Sequence, residues 1–194
     1  FVSGPLYADD GLFVLDEKDA QRWGENADDR AGCAIAGVGD TNNDGYDDVL
    51  VGAYAESTGA EKEGAAYLLN GPLTGSADLS AAVAKLVGEK LSDAAGCAVS
   101  LAGDNNGDGY NDLLIGAPGV DTTESFTGAA YIVLGPASGT RNLSAADARI
   151  FGKTYGKAGY AVAGGGDFND DGYGDILVGA PEENPEETYG SYSG

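Results

Sequence analysis

Residues 40 to 48 read Asp40-Thr-Asn-Asn-Asp-Gly-Tyr-Asp-Asp48. The pattern returns as Asp104-Asn-Asn-Gly-Asp-Gly-Tyr-Asn-Asp112 and again as Asp167-Phe-Asn-Asp-Asp-Gly-Tyr-Gly-Asp175, spaced 64 and then 63 residues apart. The flanks keep step. Gly-Cys33, Gly-Cys97 and Gly-Tyr160 end seven residues before each loop, and Gly52-Ala, Gly116-Ala-Pro and Gly179-Ala-Pro begin twelve after its first Asp. Such regularity means duplicated structural units.

Working outward from the loop, one unit reads as four short strands separated by turn residues. The first is Cys33 to Val38 (then Cys97 to Ala102 and Tyr160 to Gly164). The second is Val49 to Ala53 (Leu113 to Ala117, Ile176 to Ala180), and the third Ala65 to Asn70 (Ala129 to Leu134). The fourth is Ala84 to Val87 (Ala148 to Phe151), with Ala20 to Trp23 as an earlier copy. Ser80 to Leu86 and Ser144 to Ile150 start like capped helices but are too short to be more than turns. Four antiparallel strands per unit is the pattern of a β-propeller blade in an all-β fold, whereas a β-helix would repeat over a much shorter length.

The ends complement each other. Phe1-Val-Ser-Gly-Pro5 matches the end of the third strand in later units (Leu68-Leu-Asn-Gly-Pro72, Val133-Leu-Gly-Pro136), and Tyr189 to Gly194 only begins a third strand. The expected organisation is a leading partial blade over 1–30, blades over 31–88 and 89–152, and a last blade over 153–194 without its fourth strand. Closed propellers usually have four to eight blades. Three units therefore form a partial ring, or half of a six-bladed ring completed by strand exchange in a homodimer or by a longer parent chain. With no methionine, the chain as written reads as a processed product or an excised piece.

Composition narrows the function. The 194 residues carry 32 acidic and 10 basic side chains, a net charge of -22, so phosphate backbones and anionic headgroups are poor partners and cations natural ones. Histidine is absent, which removes imidazole general bases, histidine-dependent nucleophile systems and histidine-ligated zinc or haem. No apolar stretch approaches the roughly 20 residues needed to cross a bilayer, so neither nucleic-acid binding nor membrane insertion is expected.

The loop itself fits a hard cation. Side-chain oxygens stand at positions 1, 3, 5 and 9, a backbone carbonyl at 7, and glycine at 6 permits the sharp turn; calcium takes six to eight such oxygens. The expected ligands are Asp40, Asn42, Asp44, the Tyr46 carbonyl and Asp48; then Asp104, Asn106, Asp108, the Tyr110 carbonyl and Asp112; then Asp167, Asn169, Asp171, the Tyr173 carbonyl and Asp175. That makes three Ca2+ sites. Asp, Asn and Gly clusters are also ordinary turn formers, but three copies in one register argue for more than turns. An EF-hand is excluded because position 12, which needs an acid, holds Val51, Ile115 and Val178.

The Gly-Cys/Tyr-Ala-Val/Ile stretch, the Asp-rich loop, the Leu-Val-Gly-Ala-Pro stretch and the Gly-Ala-Ala-Tyr strand together resemble the FG-GAP repeat of integrin α-subunit propellers and their bacterial relatives. The likeness runs from about Ala31 onward. It implies a calcium-binding propeller in extracellular adhesion or recognition, secreted or on a cell surface, with a protein or glycan ligand and no catalytic residues. Two departures stand out: Ala31, Ala95 and Ala158 replace the family's Phe, and Tyr54 stands where a proline is expected. The alternative is the propeller of a secreted enzyme such as a polysaccharide lyase or phospholipase.

Further expectations concern individual residues. Cys33 and Cys97 read as small core hydrophobes on buried strands. Trp23, Val87 and Phe151 read as one apolar packing site on the fourth strand, and Tyr46, Tyr110 and Tyr173 as rings packed over the loops. Asn142-Leu-Ser144 is a weak glycosylation sequon. The loops after the second strand collect Glu56, Glu61, Glu63, Asp121, Glu124, Glu182, Glu183, Glu186 and Glu187. These read as a solvated acidic face, or as a surface for a cationic or metal-bridged ligand.

Overall fold

The computed structural model describes residues 20–57 and 62–183. Strand β1 (Ala20–Trp23) is followed by a first unit of β2 (Ala34–Gly39), β3 (Asp48–Ala53), β4 (Ala65–Leu69), β5 (Gly75–Asp78) and β6 (Ala84–Val87). The second unit repeats it as β7 (Ala98–Gly103), β8 (Asp112–Ala117), β9 (Ala129–Val133), β10 (Gly139–Asn142) and β11 (Ala148–Phe151). The third contributes β12 (Ala161–Gly166) and β13 (Asp175–Gly179). The segments matched to a third strand at both ends of the chain, together with Glu61, Glu186 and Glu187, lie outside the described residues. Among the described residues there is no helix long and apolar enough to cross a membrane.

Each full unit is an antiparallel four-stranded meander, β2-β3-β4-β6 and β7-β8-β9-β11, as expected of propeller blades. β5 and β10 were not expected. Each pairs in parallel with the fourth strand of the unit before it, β1 with β5 and β6 with β10, and so stitches neighbouring blades along their outer edge. The two capped segments become 3-10 turns, Leu79–Ala81 and Leu143–Ala145, whose first N–H groups are capped by Asp78 and Asn142. Asn142 of the sequon is thereby engaged at both ends, because its Nδ2 donates to the Gly88 carbonyl (2.8 Å).

Strand alternation explains the core. Leu113 and Ile115 of β8, with Tyr131 and Val133 of β9, pack toward the first unit's Val38, Leu50, Leu68 and Leu86. Their neighbours Leu114 and Ala130 point the other way, onto Val162, Ile176 and Val178 of the third unit. A middle strand thus supplies two blade interfaces, which is why it reads as an unbroken apolar run; burying each large aliphatic side chain contributes about 1.5–3 kcal/mol.

The blades meet backbone to backbone. A Cβ on Gly52 would collide with the Gly96 carbonyl and one on Gly116 with that of Gly159, and Ala95 N donates to Glu63 O across the first joint (3.0 Å). Gly32, Gly96 and Gly159 all take left-handed φ of 79° to 82° in the turn before the first strand. That turn corrects the reading of the cysteines: Cys33 is exposed and Cys97 half-buried, one residue before their strands, and both are free thiols. The fourth-strand apolar site is corrected too. Val87 is buried, but Trp23 and Phe151 are exposed, Trp23 lying opposite Asp78 in the parallel pair and Phe151 beneath the Arg149 guanidinium.

Gly116→Ala is expected to cost about 3 kcal/mol through overpacking at the joint, whereas Gly37→Ala, with open space around it, should change stability by less than about 1 kcal/mol. Paired thermal melts measure the contrast.

Candidate metal centre

The first strand of each unit carries a β-bulge just before its loop, between Gly37 and Gly39, Leu101 and Gly103, and Gly164 and Gly166. Bulges re-aim the chain, and here the chain curls into the nine-residue loop. Position 6 is left-handed in all three copies (Gly45 φ 92°, Gly109 87°, Gly172 90°), which glycine alone adopts without strain.

The side chains repeat one arrangement three times. The position-1 carboxylate accepts backbone N–H groups from the far side of the curl. For Asp40 these come from Asp44 (3.1 Å) and Gly45 (2.8 Å), for Asp104 from Gly107 (2.7 Å), Asp108 (3.1 Å) and Gly109 (2.9 Å), and for Asp167 from Asp171 (3.0 Å) and Gly172 (2.8 Å). The position-3 amide oxygen of Asn42, Asn106 or Asn169 accepts from the position-5 N–H, and its Nδ2 donates to the position-5 carboxylate. The carboxylates of Asp44, Asp108 and Asp171 each take the N–H of the tyrosine at position 7 (2.9 Å).

These bonds set the charge states. The Gly109 and Gly172 N–H groups, with their neighbours, hold the Asp104 and Asp167 carboxyls below the usual range; for Asp40 burial opposes the effect, but the Gly45, Asp44 and Asn42 N–H groups outweigh it. Asp112 moves the other way. Burial pushes it up against the N–H groups of Gly135 and Asn105, and the charges of Asp108 and Asp104 add to the push.

Position 9 has a role that reading it as a ligand alone missed. Asp48 and Asp112 are fully buried. Asp48 Oδ2 accepts the Thr41 N–H (3.0 Å) and hydroxyl, and Oδ1 accepts from Gly71 N (2.9 Å), beyond β4; Asp112 does the same with Asn105 N (2.8 Å) and Gly135 N (2.9 Å). Asp175 keeps the first of these bonds, to Phe168 N (2.7 Å). The repeated Gly-Pro after the third strand marks where the second donor stands. The carboxylate is therefore a strut between loop and blade, and with roughly four lone-pair sites it retains acceptor capacity. Neighbouring loops also touch: Asn105 Nδ2 donates to Gly174 O (2.6 Å), and Gly174 N to Asp104 O (3.1 Å). Tyr46 and Tyr173 are about half exposed rather than packed flat.

Among the described residues no three acidic side chains close into a metal cage; the donors line an open curl. Their chemistry still fits a hard cation. Every donor is oxygen, three carboxylates at positions 1, 5 and 9 share each loop without a basic partner among the described residues, and Asp112 registers the resulting repulsion. The residues that would hold the ion are the fifteen named from the sequence.

The opposite loops differ in part from the expected solvated acidic face. Glu56 and Glu63 are buried. Glu56 and Glu25 both hold the Lys85 ammonium (2.9 and 2.5 Å), which sits over the Tyr67 ring. Burial works against the Lys85 charge, but these hydrogen bonds outweigh it and raise its pKa. Glu182 pairs with Lys157 (2.6 Å) and Glu183 with Lys153 (3.1 Å). For Glu56 and Glu63 the physical reason is desolvation, because carboxylates buried between blades must recruit a cation or hydrogen-bond donors, whereas Asp121, Glu124 and Glu182 stay exposed as a solvated face would have them.

The FG-GAP repeat matches at residues 34–69, 98–133 and 158–194. Integrin alpha-IIb of Mus musculus is 36% identical over 151 residues, 74% of this chain and 14% of that protein; the Homo sapiens protein is 34% identical over 157 residues, 78% of this chain and 15% of its own length. Phosphatidylinositol-glycan-specific phospholipase D of Bos taurus is 33% identical over 159 residues, 78% of this chain and 19% of that protein. The chain thus spans under a fifth of each of these relatives.

Asp48→Ala, measured in the presence of chelator, should cost about 3 kcal/mol because it strands buried N–H groups. Asp44→Ala, an exposed loop position, should cost less than about 1 kcal/mol under the same conditions. Equal losses would mean position 9 is no strut.

Proposed function

The chain belongs to the FG-GAP repeat family, and from that premise we propose that it is a calcium-binding, integrin-alpha-like propeller module for extracellular recognition or cell adhesion. The observation carrying this reading is the threefold recurrence of the loop, with its left-handed glycine and its position-1 carboxylate fed by backbone N–H groups, and with a buried position-9 strut in the first two copies. Bound in the loops, calcium would neutralise carboxylates that otherwise repel one another. The rest falls to the chain: Asp40, Asp104 and Asp167 organise the curl, Asn42, Asn106 and Asn169 present the amide oxygen, and Asp48 and Asp112 carry the loop's position back to the blade, while Asp175 braces its own loop through Phe168 N. Each site would add about 1.4 kcal/mol of stability for every tenfold excess of calcium over its dissociation constant. Extracellular calcium is the natural supply for loops of modest affinity.

A second reading, the propeller of a secreted enzyme, is favoured by the similarity to the bovine phospholipase D. Absence of histidine leaves Asp, Glu, Lys or Tyr as its only general bases, and turnover assays on phospholipids and polyanionic glycans separate the two.

The blade faces support a partner of the same kind. Ile35, Val49, Val51, Leu69, Leu73 and Leu79 surround a cavity of about 200 Å³ on the first unit. Their counterparts in the second unit, Val99, Leu113, Ile115, Val133, Ala137 and Leu143, are covered by the first unit's far face. On the third unit that far face leaves Leu177 58% exposed. A homodimer joining these two faces would complete a six-bladed ring, with β1 as the fourth strand of the partner's last blade. Light scattering should then give a dimer mass; a stable monomer contradicts it.

Calcium is expected to raise the melting temperature reversibly, and EDTA to lower it again. Terbium, a calcium mimic excited through the adjacent Tyr46, Tyr110 and Tyr173, should titrate to three sites, and Asp40→Ala should remove one. A melt indifferent to EDTA overturns the calcium reading.

A further inference from the structure

The repeat contains its own control for one cation. In the third unit Lys157 is neutralised by Glu182 at 2.6 Å. The equivalent pair in the first unit is Arg30 and Ala55, so the arginine keeps the position while the carboxylate is missing. In this chain of net charge -22, Lys85, Arg141, Arg149, Lys153 and Lys157 each hold a carboxylate, while Arg22 and Lys90 make no ion pair among the described residues. Among the described residues Arg30 makes no ion pair, and neither does Lys62.

The two meet in one place. Arg30, Lys62, Tyr54, Ala55 and Ser92 line an open polar cleft of about 610 Å³ at the joint of the first two units, on the face away from the metal loops; Asp28 is the one acid on its wall. Arg30, Tyr54 and Lys62 stand where the second unit has Ala94, Pro118 and Phe126, so the second joint lacks all three of these groups. At the next joint, Phe126 stacks on Tyr155 with centroids 6.3 Å apart, and both rings are about half exposed. A cationic cleft and an aromatic pair thus sit at successive joints of one face.

We infer that Arg30, with Lys62 and Tyr54, binds a carboxylate brought by another molecule, specifically a Glu or Asp side chain of an acidic protein segment. The Lys157–Glu182 pair is the reason for choosing a protein carboxylate, since it shows a glutamate side chain reaching a cation at this position. An arginine fork, which binds carboxylates bidentately, and a tyrosine hydroxyl able to donate suit the same group. The overall negative charge does not forbid it. Acids farther away than about 8 Å are largely screened at physiological ionic strength, whereas a contact pair is not. The inference deepens the recognition reading and rests on it for the existence of a partner. Its test uses calcium-saturated protein and a defined peptide, so failure here would leave the terbium and melting results standing.

The probe is a fluorophore-labelled tetraglutamate peptide, followed by anisotropy at low and at physiological salt. Saturable binding is expected, weakened about tenfold by Arg30→Ala, the loss of one charge-assisted hydrogen-bonded pair, and less by Lys62→Ala. Lys157→Ala should leave it unchanged. Ala55→Glu copies the third unit by giving Arg30 an internal carboxylate, and it should abolish peptide binding without lowering the melting temperature. If Arg30→Ala fails to fold, the Ala55→Glu variant decides between the outcomes by itself. Binding equal in wild type and Ala55→Glu, no saturable binding, or an equal loss from Lys157→Ala overturns the site. Tighter binding of a uronic-acid oligosaccharide than of the peptide overturns the protein assignment.

Discussion

Each of the two full blades hangs its loop on one buried carboxylate. Placing the charge of Asp48 or Asp112 out of contact with water is costly unless hydrogen bonds replace the lost solvation. The donors come from two separated segments: position 2 of the loop and the glycine after the third strand. Satisfying that one group therefore fixes the loop against the second strand and the exit of the third. The open curl of donors stands on this strut, and any cation held there acts on the blade through it.

The same economy runs across the joints. A middle strand buries alternate side chains against two different neighbours, glycine carbonyls fill the narrowest contact, and β5 and β10 carry one unit onto the outer edge of the previous one. On the metal-loop face, Asn105 and Gly174 connect adjacent loops. On the other face ion pairs do the connecting, and the sign can be exchanged: Glu25 faces Lys85 beside the first unit, while its counterpart Lys153 faces Glu183 in the third. Loss of order in one loop would therefore be felt by the next blade as well as its own.

Much of this was legible in the residues. Strand positions agree to within about a residue because apolar runs bounded by glycine and aspartate leave little choice of register. β5 and β10 were not legible, since Gly75-Ser-Ala-Asp78 pairs through backbone alone and shows no side-chain pattern. At position 9 an aspartate that ligates and one that braces look alike until Gly71 and Gly135 are seen to donate to it. Glu56 resembled any loop glutamate because its partner, Lys85, is remote in sequence. Cys33 and Cys97 were misplaced by one residue, enough to move them from strand to turn.

The most direct test of the central claim is a crystal structure grown with calcium. The account predicts one ion in each loop, bound by the oxygens of positions 1, 3, 5 and 9 and the position-7 carbonyl at about 2.3–2.6 Å, with Asp48 and Asp112 still accepting from Gly71 and Gly135. Loops without density, or ions bound only after Asp48 and Asp112 abandon those N–H groups, would contradict it.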